Sequence, residues 1–364
     1  MPFIKPFTTA YGTITGRRTL LVRLEDADGA VGWGEAPIPD RPTYAADTLP
    51  SAWFALTDLL LPPLLGMSFS GPVEATASWS RYEGQRYAKH GAECALWALA
   101  SVRLGLPLRE LVGGVHEVVP VGESFGIPED RDVVTLLREV EARVAEGFCR
   151  IKIKIEPGWD DEPLRAVADA FPRIPLTADA NGAYRPEVAE HRQALRSLDG
   201  LGMQMLEQPY PAHDLLALAD LQQELATPIC LDESASSLGV TEAALELGAG
   251  RVVNVKPARL GGLADAVAVH DLCRSRDIPV WCGGVLESGI GRGFNLAVAS
   301  LPGFTLPADM SPARLFYEED LVEPTFDIRS DGTVAVPDIP GVGFPVSEER
   351  IDRRTARTWS SNQG

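Results

Sequence analysis

Between residues 150 and 257 the chain repeats one theme: RIKIKI at 150–155, TADAN at 177–181, LEQP at 206–209, LDES at 231–234 and VNVKP at 253–257. Each is a short, mostly apolar run that closes on charge, and the closing residues are Lys154, Asp179, Glu207, Asp232 and Lys256. The steps between them are 25, 28, 25 and 24 residues, each suited to one strand plus one returning helix. Working outward, β-like runs also lie at 119–125, 279–284 and 304–309, and helical patterns at 132–146, 187–198, 237–247 and 263–276. Eight such runs alternating with helices predict an α/β fold, a (β/α)7-8 barrel of the TIM type over residues 119–320. An open doubly wound sheet is the alternative, but no GxGxxG follows an early strand.

The first third reads differently. β-rich runs at 19–25 and 31–35 flank Asp28-Gly29, a hairpin signal. Helical patterns follow at 46–61 and 91–104, and LRELVGG at 108–114 reads as a helix ending in a glycine turn. Residues 1–118 therefore form an α+β domain. Residues 321–364, with a β-like run at 333–336 and a polar tail, are expected to pack back on it.

The 364 residues are 45% hydrophobic and 23% charged, enough for a buried core without staples. Lys plus Arg number 33 against 51 Asp plus Glu, a formal charge of -18, which excludes a general nucleic-acid binder and disfavours anionic membrane surfaces. An anionic small molecule stays possible, because a local cluster of cations overrides the global field. Five scattered cysteines without CxxC read as reduced thiols of a cytoplasmic protein. The N-terminus has no apolar signal region, and the most apolar stretch, 59–65, is interrupted by Pro62 and Pro63, so no membrane span is expected.

A barrel carries its chemistry at the C-terminal ends of its strands. Asp179, Glu207 and Asp232, on three adjacent strands, offer oxygen ligands only, which suits Mg2+ rather than Zn2+. Lys154 and Lys256 then flank the metal. A lysine near Mg2+ and a second lysine has its pKa lowered, so it can take a proton from carbon beside a carboxylate while the metal holds the enediolate. Taken singly, each acid at a strand end is a helix cap or turn residue, and each lysine a surface side chain on a half-exposed strand. The ordered set of five decides for chemistry. Glu233 and Glu287 read as supporting or ion-pairing groups, and Asp309 as a cap for the next helix. The five histidines form no HxxxH or HExxH pattern. Gly261-Gly262 and Gly283-Gly284 serve either turn geometry or close approach of backbone to ligand.

RIKIKI, ADAN, EQP, LDES, NVKPARLGG (254–262) and WCGGVLESGIGR (281–292), together with PFTTAYGT (6–13), LLVRLEDADG (20–29) and VGWGEAP (31–37), resemble the enolase superfamily. The resemblance lies in its muconate-lactonizing-enzyme subgroup, in the o-succinylbenzoate synthase / N-succinylamino acid racemase family. It implies a barrel covered by a capping domain built from the N-terminal segment and the C-terminal tail. It implies Mg2+, with Mn2+ as a substitute, held by Asp179, Glu207 and Asp232. Lys154 and Lys256 become the acid/base pair, Lys152 tunes Lys154, and Arg259 tunes Lys256. Ser124, Asn181, Gly283, Gly284 and Val285, with the loop at 9–12, would line the pocket for a small carboxylate, and capping-domain loops at 8–12 and 42–46 would close over the barrel mouth and set substrate choice. The activity implied is the lyase, a dehydration in menaquinone biosynthesis, or the isomerase, a racemization of N-succinylamino acids, or both. A homo-oligomer is implied as well. A non-catalytic barrel is the reading from a different class.

Four departures stand out. The chain starts at MPFIKPF, where relatives usually carry one more strand. Ala98 stands for a usual Asp, Val285 for Met and Ala308 for Gly.

Overall fold

Two hairpins open the chain, and the computed structural model describes residues 1–361. β1 (Pro2–Thr9) pairs antiparallel with β2 (Gly12–Gly16), and β3 (Leu20–Glu25) with β4 (Val31–Ala36). The second hairpin is the one expected from Asp28-Gly29. Asp26 closes its turn by accepting the N–H groups of Asp28 and Ala30, both at 2.9 Å. The first was not anticipated: the segment expected as a loop at 9–12 is its tip, and the opening MPFIKPF is itself strand.

The expected helix at 46–61 begins at Thr48, whose side chain and that of Ser51 cap each other's backbone N–H groups. It runs from Leu49 to Phe54, widens to π geometry over 55–60 and stops before Pro62. Helix Arg86–Leu104 lies directly on β4. A Cβ at Gly34 would come within 2.1 Å of the Gly91 carbonyl oxygen, so the close approach requires glycine.

After β5 (Val118–Pro120) come the barrel strands: β6 (Glu123–Phe125), β7 (Ile151–Lys154), β8 (Leu176–Asp179), β9 (Met205–Glu207), β10 (Ile229–Leu231), β11 (Val252–Val255) and β12 (Val280–Cys282). They form one parallel sheet in chain order. The eighth run, 304–309, closes the ring without becoming a regular strand. Phe304 bridges Val280 and Ala308 bridges Val121, and the Asp309 N–H donates to Cys282 O at 3.0 Å. Pro307, lacking an N–H, prevents a continuous ladder there. Both faces of the sheet are buried. Ile151, Ile153 and Ile155 join the core under the helices, while Lys152 and Lys154 point the other way and are only 2% and 8% exposed. The alternation in IKIKI is therefore barrel wall against barrel interior, not core against solvent.

β13 (Thr333–Ala335) pairs antiparallel with β5. Beyond it the tail reaches the first domain: the Gly341 N–H donates to Ser101 Oγ at 2.9 Å, and Glu348 lies 3.7 Å from Arg23.

Two buried glutamates lock the domains together. Glu35, at the end of β4, accepts from the Ser288 hydroxyl at 2.6 Å and the Gly291 N–H at 3.0 Å, at the start of helix Gly289–Ala299. Glu93, on helix Arg86–Leu104, accepts from the Ala264 N–H at 3.0 Å, at the start of helix Leu263–Ser275, and from Trp97 Nε1 at 2.9 Å. Both satisfy backbone donors that a helix leaves open at its first turn.

Burial pushes the Glu93 carboxyl up to about 7. An unfolded glutamate titrates near 4.3, so between roughly pH 4.3 and 7 the folded state binds the extra proton and stability falls as pH rises. Glu93→Gln keeps an oxygen acceptor and removes this titration. The loss of stability between about pH 5 and 8, read as urea midpoints, should shrink by on the order of 1–3 kcal/mol. An unchanged pH profile would show that Glu93 does not titrate in that range.

Candidate active site

Parallel register brings the charged residues to one height. Lys154 is paired with Asp179, Asp179 with Glu207, and Glu207 with Cys230, two residues before Asp232. Asp179, Glu207 and Asp232 are at most 1% exposed. Lys154 stands at the end of β7 and Lys256 just beyond β11, four strands further round the ring. In a closed barrel of eight positions that places them on opposing sides of the mouth.

The contacts form two linked groups. Lys154 Nζ donates to Asp179 Oδ2 at 2.6 Å and Asn181 Oδ1 at 2.9 Å. Lys152 Nζ lies 3.0 Å from Glu207, 3.4 Å from Asp179 and 2.6 Å from Asp309, with the Trp281 ring 4.7 Å away. Across the mouth, Lys256 Nζ donates to Asp232 Oδ2 at 2.9 Å, and Arg259 holds the other Asp232 oxygen. Asn254 joins the groups by donating to Glu207 Oε1 at 2.8 Å.

Burial opposes the charge on Lys256, yet Asp232 and Glu207 outweigh it and hold the ammonium above the ordinary lysine range. This is opposite to the lowering expected from the sequence, which depends on a divalent cation taking up the carboxylate charge. Burial and the neighbouring Asp179 push Glu207 up to about 8, while the Asp232 carboxyl is lowered because Lys256 and Arg259 overcome its burial.

Among the described residues, no three Asp, Glu, His or Cys side chains form a ready metal-binding group as they stand. Ammonium and guanidinium groups engage the carboxylate oxygens instead. The donor set still fits a hard divalent cation: it is all oxygen, on three adjacent strands, and the crowding that raises Glu207 is what a positive charge among these acids would relieve.

Above the acids lies a cavity of about 170 Å³ between barrel and first domain. Its cationic lining is Arg17, Lys152, Lys154, Lys256 and Arg292; Asp309 is the one carboxylate among the lining residues. A chain of net charge -18 thus presents a positive pocket suited to an anion. Phe7, Ile14, Val285 and Phe316 supply apolar wall.

Of the pocket residues expected from the sequence, Ser124, Asn181, Gly284 and Val285 line this cavity, and Ser124 Oγ is buried with no protein partner. Asn181 also donates to Glu233 Oε1 at 3.0 Å. Gly283 is the correction. It lies behind the wall, with its N–H given to Asn254 Oδ1 at 2.8 Å, and a Cβ there would come within 2.5 Å of Lys256 Cε. Its N–H is already engaged, and its lack of a side chain makes room for the lysine.

Sequence reasoning missed several participants. Asp309 pairs with Arg150 and Lys152 instead of capping a helix. Arg17, just past the first hairpin, lines the cavity and donates to the Val285 carbonyl. The two first-domain loops expected over the barrel mouth do reach it, but the side chains that arrive were not singled out: Tyr11 meets Glu233 at 3.1 Å and Tyr44 meets Lys256 at 2.9 Å. No periodicity marks a tyrosine in a turn or irregular loop.

Comparison with known proteins agrees in both domains. Residues 135–350 match the family "Enolase C-terminal domain-like", and residues 1–113 match "Mandelate racemase / muconate lactonizing enzyme, N-terminal domain". The chain is 42% identical to an o-succinylbenzoate synthase of Geobacillus stearothermophilus, over 96% of this chain and 92% of that one. It is 44% identical to an N-succinylamino acid racemase of Thermus thermophilus, over 98% and 94%. An enolase-superfamily structure from Listeria innocua superposes with a TM-score of 0.92 at 34% identity, over 98% and 95%.

Proposed function

The chain belongs to the enolase superfamily, in its o-succinylbenzoate synthase / N-succinylamino acid racemase family, and from that premise we propose that it removes the proton alpha to a substrate carboxylate. The primary reaction is the o-succinylbenzoate synthase dehydration of a cyclohexadiene carboxylate, a step of menaquinone biosynthesis. The second is racemization of N-succinylamino acids. The observation that carries the proposal is the pair of buried lysines, Lys154 and Lys256, on opposing sides of a cationic cavity, each hydrogen-bonded to a buried carboxylate, Asp179 and Asp232 respectively.

Asp179, Glu207 and Asp232 are the residues that would hold Mg2+, and the ion when bound supplies positive charge that stabilises the anion formed on proton loss. Lys154 takes the alpha proton. In dehydration Lys256 remains a cation beside the developing negative charge. In racemization Lys256 returns a proton to the opposite side of the same carbon, so both lysines serve as acid and base. Asn254, bridging Glu207 to the Gly283 N–H, keeps the floor and the Lys256 wall in register. The capping domain excludes water from above. The five unpaired thiols support a reducing, cytoplasmic setting.

Assaying the purified protein separately with the cyclohexadiene carboxylate and with an N-succinylamino acid, each with Mg2+, tests the proposal. Dehydration is expected. Its absence at every enzyme concentration, with racemization present, would assign the chain to the isomerase side. EDTA should abolish both reactions and lower the thermal midpoint, since a ligand bound only by the folded state stabilises it. Undiminished activity and stability after chelation would overturn the metal assignment.

A further inference from the structure

The two lysines are held by different parts of the molecule. Lys154 rests on barrel groups, Asp179 and Asn181. Lys256 rests on Asp232 and on the hydroxyl of Tyr44, which comes from the first domain 212 residues earlier. The Tyr44 oxygen accepts from Lys256 Nζ at 2.9 Å and from Arg259 Nη1 at 3.3 Å, and its own proton points to Asp232 Oδ2 at 3.3 Å. The Tyr44 ring centroid lies 5.1 Å from Lys256 Nζ, and the ring meets Tyr11 edge-on at 5.8 Å.

Tyr44 sits in an irregular segment, 37–48, between β4 and the helix that begins at Leu49. Arg41, Pro42 and Thr43 are exposed, and the segment is pinned at its far end, where Asp47 accepts the Tyr87 N–H at 3.2 Å.

We propose that Tyr44 is a positioning residue for Lys256, so that one of the two lysines is aimed at substrate only when the capping-domain loop lies closed over the barrel. This rests on the two-lysine reading above. A neutral lysine amine has two N–H bonds and one lone pair. With one N–H directed to Tyr44 and the other to Asp232, the lone pair is left for the cavity, the direction a base requires. Without the Tyr44 oxygen the amine can rotate about its last bonds, and productive alignment is diluted among rotamers. Lys154 is held directly by barrel groups, and its link to the first domain is indirect, through Asn181 and Glu233 to Tyr11. Racemization needs both lysines as bases, whereas dehydration needs one base and a nearby cation, so loop closure through Tyr44 favours racemization more than dehydration.

The test is alpha-proton exchange in D2O with each enantiomer of an N-succinylamino acid, the two faces being assigned beforehand with Lys154→Ala and Lys256→Ala. Tyr44→Phe should slow exchange on the Lys256 face by about tenfold, the effect of deleting one hydrogen bond that aligns the base. Exchange on the Lys154 face should stay within about twofold of wild type. Tyr44→Leu, which also removes the ring, should shift the balance the same way.

A second readout needs no turnover. Amine-directed labelling of the metal-free protein, mapped by peptide mass, should show Lys256 reacting several-fold faster in Tyr44→Phe while Lys154 is unchanged. Equal slowing of exchange on both faces, or no change in Lys256 labelling, would overturn the inference. If wild type exchanges neither enantiomer, the proton-transfer reading of this site falls, and the labelling result still decides whether Tyr44 positions Lys256.

Discussion

Replacing Lys154 by alanine is expected to lower both dehydration and racemization by about 10²- to 10⁴-fold, the reach of a positioned general base. The loss should appear in turnover, because the chemical step loses its proton acceptor. It should not come from unfolding. Asp179 keeps a second cation, Lys152, at 3.4 Å, so the deletion leaves no unpaired buried carboxylate there. Thermal denaturation of the variant beside steady-state kinetics separates the two causes. Dehydration within about tenfold of wild type in a folded Lys154→Ala protein would remove Lys154 from the mechanism.

Lys256→Ala should divide the reactions. Racemization is expected to disappear, since one face of the carbon then has no base. Dehydration should continue, slowed by about 10²- to 10³-fold through loss of one electrostatic stabiliser. Asp232 retains Arg259, which keeps the pocket from carrying a bare buried charge. In D2O only one enantiomer should still exchange its alpha proton. Exchange of both at equal rates would show that the two lysines do not serve opposite faces.

The site shows what a linear reading reaches. The strands β7 to β11 and the five charged residues that close them follow from spacing, because parallel strands of equal rise deliver equivalent positions to equal height. Helix Gly289–Ala299 was not legible. Its sequence, GIGRGFNLAVA, contains three glycines, poor helix formers, and it forms because every residue is buried. At Gly293 the C-terminal segment crosses so closely that a Cβ would meet the Val342 carbonyl oxygen at 1.8 Å. The hairpin of β1 and β2 was equally hidden: Pro2 and Pro6 argue against a strand, and its partner lies beyond a turn that carries no Asn-Gly or Asp-Gly pair.

By itself the sequence determined the barrel, its parallel order, and the lysines and carboxylates at its mouth, since these depend on local period and on repeat length. Only the tertiary structure decided which side chains from the first domain enter that mouth. Tyr44 meets Lys256 across 212 residues and Tyr11 meets Glu233 across 222. It also decided that Gly283 makes room for Lys256 while its N–H goes to Asn254. Such contacts join residues distant in the chain through the docking of two separately folded layers, and no local pattern of polarity encodes which loop side chain arrives beside which strand end.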